Sequence, residues 1–406
     1  MGKCILFLTP QLPYPPQQGT AIRNYNLMRQ AAQRHEVHLL SFASERSMED
    51  DQGPLQDLCV TVTKVLMPRR VSGQRLVSAL TSPLPDLAHR LAAPSFGQEL
   101  RWKLMALRPD VLQVEGLEMA QYGLLAAEQR HGDSPLTLFD AHNAEYLLQR
   151  RIFELDARRP TRWPGALYSW MQWQKLFRYE AMVCRRMDRV VACSAADVDA
   201  LQRLVPGLEP LLVPNGVDTL HYHPDFGHPA ALHSPALVFT GKMDFRPNVD
   251  AVLWFCEGVL PTVQRRCPAA HLYVVGKDPH PRLAGLARMP GVTLTGYVDD
   301  VRPYIAAATV YIVPLLTGGG TRLKVLEAMA MGKALVSTRL GCEGIPAAPG
   351  RDLELADGAD QFAERVVTLL SDESRRLALG RAARSFVERH FDWHAVAAPL
   401  EQVYGC

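Results

Sequence analysis

Between Leu316 and Ser337 the chain reads LTGGGTRLKVLEAMAMGKALVS, an order of residues that few architectures accommodate. An apolar run from Val310 to Leu316 meets three consecutive glycines, a stretch with helical spacing, Gly332, and a second apolar run from Ala334 to Ser337. That is strand, loop, helix, turn, strand. Gly318, Gly319 and Gly320 take every Cβ out of a loop at the carboxyl end of a strand, so backbone N–H groups can close on an anion at the helix N-terminus. A phosphate fits there. Glu327 lies inside the helix, five residues after Arg322 and three after Lys324, while Leu323, Leu326, Ala330 and Met331 supply the apolar face. A carboxylate one or two turns beyond a phosphate cradle stands where a ribose diol needs an acceptor pair. On spacing alone, a plain βα turn followed by a surface Glu fits equally well.

The length of 406 residues is enough for two sizeable cores. A hydrophobic content of 48%, a charged content of 21% and a net charge of +2 give no global pull toward nucleic acid or anionic lipid. No apolar run approaches the roughly 18 residues of a membrane span, and the run from Cys4 to Thr9 is too short for a signal sequence, so a cytoplasmic chain is expected. The eight cysteines stand singly with no C-x-x-C pair, the pattern of buried thiols and not of a disulfide framework or a zinc site.

The same grammar runs through both halves. A strand from Cys4 to Leu8, a proline-rich loop, Gly19, a helix from Thr20 to Arg34 and a strand from Val37 to Phe42 make a βαβ unit. Further strands are expected at Val60 to Leu66, Val111 to Val114, Thr137 to Phe139, Val190 to Cys193 and Leu211 to Val213. The Pro214-Asn215-Gly216 turn and the polar segment after it mark a boundary. Strands then resume at Ala236 to Thr240, His271 to Val275, Val292 to Gly296 and Val310 to Leu315. The fold class expected is α/β: two Rossmann-like domains, 1–212 and 213–388, facing across a cleft, with a tail, 389–406, packing back on the first.

In open parallel sheets ligands sit outside the carboxyl ends of the strands. In the first half these ends carry Glu115, Asp140, His142, Asn143 and Ser194. A neutral His142 imidazole can bond a sugar hydroxyl or a leaving group, though a lone histidine in a loop is more often merely exposed or locally bonded, and the same holds for Glu115. Gly19 permits close backbone approach, or simply a turn. Lys242 and Arg246 follow the first strand of the second half, on the edge expected for Gly318 to Gly320, and together these suit a diphosphate. Asp197-Val-Asp199 has D-x-D spacing, but it opens a helix after Ser194, where capping explains it, and no metal is expected. The segment 150–189 holds ten basic against four acidic residues together with Trp163, Trp170, Trp173, Phe177 and Tyr179. Either an amphipathic helix meets a membrane carrying lipid-linked acceptors, or one long helix packs Trp170, Phe177 and Met182 on the sheet under a solvated basic face.

Taken in order, the glycine loop before LEAMAMGKALVST, the PNGVD junction, the paired halves and the aromatic C-terminal helix resemble a GT-B glycosyltransferase of family 4. LTPQLPYPPQQGTAIRN, FDAHNAEY and FTGKMDFRPNVDAV further resemble sugar transferases of bacterial exopolysaccharide and exosortase systems. The resemblance implies a metal-independent, retaining transfer from a UDP- or GDP-sugar to a glycan or lipid-linked acceptor, with no other cofactor. It aligns Lys242 and Arg246 with the family's phosphate-binding pair, Glu327 with the second Glu of an E-x7-E motif that binds ribose, His142 with the histidine near the donor sugar, and Gly19 with the loop near the diphosphate. His142, Lys242 and Arg246 are then the catalytic group, and Glu115 and Asn143 acceptor contacts. One position departs: Gly319 stands where the first Glu of the motif belongs. The amides of Gly318 to Thr321, helped by Arg322, are expected to replace it. The same fold also supports nucleotide-sugar 2-epimerases, which need extra carboxylates, and modules that bind a sugar nucleotide without catalysis.

Overall fold

The computed structural model describes residues 2–16, 19–49, 53–71, 73, 77–78, 81–128, 134–158, 163–317 and 322–405. The chain divides into two units, Met1–Pro214 with Ala397–Cys406, and Asn215–Val396. The second unit thus runs past residue 388. Its last residues are held locally: Val217 N–H donates to Phe391 O at 2.8 Å, and the Thr219 hydroxyl bonds Asp392 at 2.5 Å. A Cβ on Gly216 would lie 2.8 Å from the Trp393 ring.

The first unit is built on seven strands: β1 (Cys4–Thr9), β2 (Glu36–Ala43), β3 (Thr61–Leu66), β4 (Val111–Glu115), β5 (Leu136–Ala141), β6 (Arg189–Ala192) and β7 (Leu211–Leu212). All pair in parallel, in the order β3-β2-β1-β4-β5-β6-β7. Strands covered on both faces need apolar residues throughout, and β1, β2, β4 and β5 are buried along nearly their whole length. The strand order reverses between β1 and β4, the place where such sheets open a crevice at their carboxyl ends.

The second unit repeats the plan with six strands: β8 (Ala236–Thr240), β9 (His271–Val275), β10 (Val292–Gly296), β11 (Val310–Val313), β12 (Leu335–Ser337) and β13 (Glu354–Leu355), ordered β10-β9-β8-β11-β12-β13 and all parallel. Here the reversal falls between β8 and β11, which pair Leu237 with Val310 and Val238 with Tyr311. The segments that follow these two strands, 241–245 and 314–317, therefore leave the sheet side by side.

The basic aromatic segment departs in part from the expectation of one long helix packing Trp170, Phe177 and Met182 on the sheet: Met182 packs on the core, and the two rings do not. It forms two helices, Glu145–Ala157 and Trp163–Arg186. Leu176, Tyr179 and Val183 face the core, whereas Trp170 and Phe177 are 44% and 43% exposed. The turn of the helix places these rings on the outer side because Ala166, Ser169, Gln172, Leu176 and Tyr179 fill the inner one.

Candidate functional site

Two glycines shape the carboxyl edge of the second unit. A Cβ on Gly276 would fall 1.7 Å from the Gly241 carbonyl oxygen, so the ends of β8 and β9 approach more closely than any side chain allows. A Cβ on Gly241 would in turn meet Lys324 Nζ at 2.7 Å. The bare backbone leaves room for an ammonium. Lys324 comes from the first turn of the Leu323–Ala330 helix; its Nζ donates to Asn248 Oδ1 at 2.9 Å and stands 4.1 Å from the centre of the Phe239 ring. Asn248 Nδ2 is anchored on Lys242 O at 2.9 Å. Burial pushes the Lys324 ammonium down to about 7, with Glu327 opposing.

Glu327, one turn later on the same face, accepts the Tyr222 hydroxyl at 3.2 Å. Burial raises its carboxyl above the ordinary range, while Tyr222 and Lys324 pull it back. Arg384 holds this arrangement from behind: its guanidinium donates to Tyr222 O at 2.7 Å, to Thr219 O at 3.0 Å and to Ala330 O, in the last turn of the same helix, at 2.6 Å. The side chain that positions Tyr222 also caps the helix carrying Glu327.

The other donor-side candidates divide into two groups. Lys242 and Arg246 are exposed; Lys242 pairs with Asp244 at 2.8 Å and Arg246 with Asp250 at 3.4 Å. They lie at the head of the Arg246–Trp254 helix, which Pro247 starts. Arg322 is buried just before Leu323, and burial lowers its guanidinium. Gly318, Gly319, Gly320 and Thr321 lie outside the described residues.

In the first unit, β4 and β5 align Glu115 with Asp140. Arg23, from the Gly19–Ala31 helix, grips both oxygens of Asp140 at 2.8 and 2.9 Å and reaches Val213 O at 2.9 Å. Arg23, Asp140 and Glu115 are all buried. Glu115 Oε2 pairs with His142 Nε2 at 2.9 Å, Oε1 accepts Gln113 Nε2 at 2.6 Å, and the Asn24 amide nitrogen, turned toward it, reaches Oε2 at 2.9 Å. Burial works to lower the His142 imidazole, but the Glu115 bond and the Asp140 and Glu115 charges outweigh it and raise it. Burial and Asp140 raise Glu115.

Glu115, Asp140 and His142 bring one ligand atom each within 4.8 Å of one another, a spacing a cation could use. The groups already on them disfavour it: Arg23 occupies Asp140, the Gln113 and Asn24 amide nitrogens reach Glu115, and His142 Nε2 is paired with it. Expected as an acceptor contact, Glu115 has no exposed surface; it lies beneath His142 and holds it. Asn143 is partly exposed and donates to Glu145 at 3.3 Å. A Cβ on Gly19 would have nothing within 4 Å. The loop carrying His142 and Asn143 is fixed by Glu180, which accepts the Glu145 and Tyr146 N–H groups at 3.1 and 2.9 Å, and by Asp197, which accepts Ala144 N–H at 3.0 Å. Asp197 N–H also donates to the Ser194 cap at 3.1 Å, so the first acid of the D-x-D spacing serves a helix start and this loop.

Both sheets thus gather polar groups at the carboxyl ends beside their strand-order reversals, and the family models agree with that layout. Residues 18–220, half of the chain, match the model described as Glycosyltransferase Family 4, and residues 234–372 match that described as Glycosyl transferases group 1. The chain belongs to glycosyltransferase family 4. Among its relatives, the GDP-mannose-dependent alpha-(1-6)-phosphatidylinositol monomannoside mannosyltransferase of Mycobacterium tuberculosis is 30% identical over 210 residues, 46% of this chain and 54% of the relative. The match thus spans about half of that relative's length. In three dimensions this family 4 chain is similar to sucrose-phosphate synthase from Thermosynechococcus elongatus (TM-score 0.71, 18% identity, 99% of this chain and 98% of the other) and to Anabaena HepE in complex with UDP and glucose (TM-score 0.67, 13% identity, 99% of each). These likenesses establish the GT-B type of fold: two Rossmann-like, parallel-sheet domains.

Lys324, Tyr222, Arg384 and Arg23 belong to the geometry of the candidate site and are not among the residues that the sequence singles out. Lys324 alone had a local signal, its position three residues before Glu327 on one helix face.

Proposed function

We propose that the protein is a retaining, metal-independent glycosyltransferase that moves a sugar from a UDP- or GDP-sugar to a glycan or lipid-linked acceptor in bacterial exopolysaccharide synthesis. The observation that carries this reading is the Lys324–Glu327 pair, a cation and a carboxylate on one helix face beside the β8–β11 reversal. Lys324 meets the diphosphate and Glu327 the ribose, with Arg322, Lys242, Arg246 and the amides of 318–321 adding positive potential where a metal would otherwise serve. His142 and Asn143 contact the sugars, and Gly19 lets backbone approach the phosphates. The relative's name specifies GDP-mannose and HepE holds UDP, so both nucleotides enter the test.

The test is a thermal-shift screen of nucleotide sugars followed by transfer assays. A donor at about 100 times its Kd stabilises by about 2.7 kcal/mol. We expect one UDP- or GDP-sugar to raise Tm by several degrees and its partners not to. No shift with any donor sinks the reading; binding without transfer to any acceptor leaves a sugar-nucleotide-binding module.

Contact with a lipid-linked acceptor also has a surface to support it. Trp163, Leu167 and Trp170 are spaced one turn apart and exposed, next to exposed Ile152 and Leu155 on the neighbouring helix. Arg150, Arg151 and Arg178 are exposed on the same two helices and Arg158 directly follows the first, which suits an anionic bilayer. No helix among the described residues is long and apolar enough to cross a membrane. The protein should sediment with vesicles containing phosphatidylglycerol and less with pure phosphatidylcholine. Changing Trp163, Leu167 and Trp170 together to Ser should cut binding at least about tenfold, since each side chain removes apolar area worth about 1.5–3 kcal/mol. Undiminished sedimentation of that variant would refute the surface.

A further inference from the structure

The Glu115–His142 pair continues into the last helix. Gln113 and Glu115 are two residues apart on β4 and so point to one side of the sheet, both fully buried. Gln113 donates its amide to Glu115 Oε1, and its own carbonyl oxygen accepts the hydroxyl of Tyr404. Tyr404, in the Trp393–Tyr404 helix, is buried in the first unit. Its ring meets that of His35 edge-on with centroids 5.5 Å apart, and Glu401, one turn earlier, pairs with His35 Nε2 at 3.1 Å. Because Lys3 N–H donates to His35 Nδ1 at 3.1 Å, the His35 proton lies on Nε2 and the docking contact has a fixed direction.

A primary amide has one accepting end and one donating end, and which faces Glu115 matters. In the observed orientation the Tyr404 proton lies on the Gln113 carbonyl, so the amide N–H points at Glu115. Turned over, the amide would offer Glu115 an acceptor and would leave the Tyr404 proton, among the described residues, without one. An unmatched buried hydroxyl costs about 1–3 kcal/mol. With N–H groups from Gln113 on Oε1 and Asn24 on Oε2, a proton on Glu115 would have no place on Oε1 and would have to compete on Oε2. The carboxylate is the form that satisfies every donor, and its partner His142 then carries its proton on Nε2. Nδ1 is left as the ring nitrogen open to other groups.

We infer that Tyr404 is a positioning residue for His142: through Gln113 it holds Glu115 as an accepting carboxylate and so determines which imidazole nitrogen bears the proton. The charged or titratable groups around His142 are Glu115 from β4, Asp140 from β5, Arg23 from the first helix, Glu145 beyond the loop, and Glu118 just after β4, whose carboxylate borders the same open space at Gly116 as His142 Nδ1. Glu115 and Asp140 favour a protonated ring and Arg23 opposes it. Losing the Tyr404 proton weakens the donor set on Glu115, which raises the carboxyl and lowers the imidazole.

The inference rests on the reading of His142 as a sugar contact, but its readout does not. Full-length protein labelled with 15N-histidine, with His142 assigned by the loss of its signals in His142→Gln, should show the Nε2–H tautomer at pH above the imidazole titration. In Tyr404→Phe the His142 titration should move to lower pH by about half a unit or more, and the two ring nitrogens should average toward mixed tautomers. Gln113→Leu, which keeps the Tyr404 ring in place, should give the same displacement, and the double variant no further one. An Nδ1–H tautomer in the wild type, or a titration unmoved in either folded variant, overturns the inference. A displaced titration with an unchanged pH profile of kcat/KM upholds it and instead removes His142 from the reaction.

Discussion

Changing Glu327 to Ala is expected to lower kcat/KM for donor turnover by about a thousandfold while the second unit stays folded. Among the described residues the carboxylate is bonded by the Tyr222 hydroxyl, through Oε1 at 3.2 Å, so it retains accepting capacity toward a ligand. A hydrogen bond to a charged group is worth about 1.5–3 kcal/mol, and a ribose diol makes two of them. Since the ribose is remote from the reacting carbon, the interaction is shared by ground and transition states, and the loss should appear in KM more than in kcat. Glu327→Gln keeps an oxygen for Tyr222 and one for a hydroxyl but gives up the charge; its loss should be about ten- to a hundredfold. Stability should change little. Burial raises the Glu327 carboxyl, so the folded protein holds this proton more tightly than the unfolded chain, and wild-type stability falls as pH rises from the unfolded titration through the folded one, a fall that Glu327→Ala removes. Wild-type turnover in Glu327→Ala would reject the ribose assignment outright.

How much of this could be read from sequence follows from what each feature depends on. Parallel strands covered on both faces are continuous apolar runs, and twelve of the thirteen strands among the described residues lie within a few residues of where the sequence places them. The exception, β13, is two residues long like β7 but lacks its apolar pair: it begins with Glu354, whose carboxylate is taken by Arg375, so no apolar run marks it. Glycine clusters and a carboxylate one turn into a helix are local, so the Glu327 helix was legible. Partners distant in sequence were not. Arg23 and Asp140 are 117 positions apart, Tyr222 and Glu327 105, and Tyr404 and Gln113 291. Each looks ordinary in its own segment, and only the sheet order brings them together. Trp170 and Phe177 fail in the other direction: aromatic residues at helical spacing suggest a core face, but Leu176, Tyr179 and Val183 occupy that face and turn the rings out.

Lys324 supplies the strongest expected dependence on pH. Two cations named from sequence, Lys242 and Arg246, are exposed and already beside Asp244 and Asp250, where solvent and salt weaken their reach. Lys324 stands over an aromatic ring against the bare backbone of Gly241, where a charge is costly on its own and strongly attracted to an incoming anion. With its ammonium pushed down to about 7, the free protein holds the charged form at lower pH and loses it above neutrality. A nucleotide sugar, whose diphosphate does not titrate near neutrality, should therefore bind more weakly as pH rises from 6 to about 9, by as much as about tenfold per unit over part of that range. Binding above pH 7 should take up a proton, measurable by calorimetry in two buffers of different ionisation enthalpy. Lys324→Met should weaken binding about a hundredfold at pH 6.5 and abolish both the pH dependence and the proton uptake. The same variant should alter stability in the opposite sense: the unfolded lysine titrates near 10.4, so between about 7 and that value the unfolded chain binds more protons and wild-type stability gains with pH, a gain the Met variant lacks. Affinity falling with pH while the lysine's contribution to stability climbs is a signature that a surface cation cannot produce, because an exposed ammonium stays charged across the whole interval. If donor binding is flat from pH 6 to 9 and Lys324→Met binds like the wild type, the ammonium serves only to hold Asn248 at the end of β8, and the diphosphate must be met by the exposed pair instead.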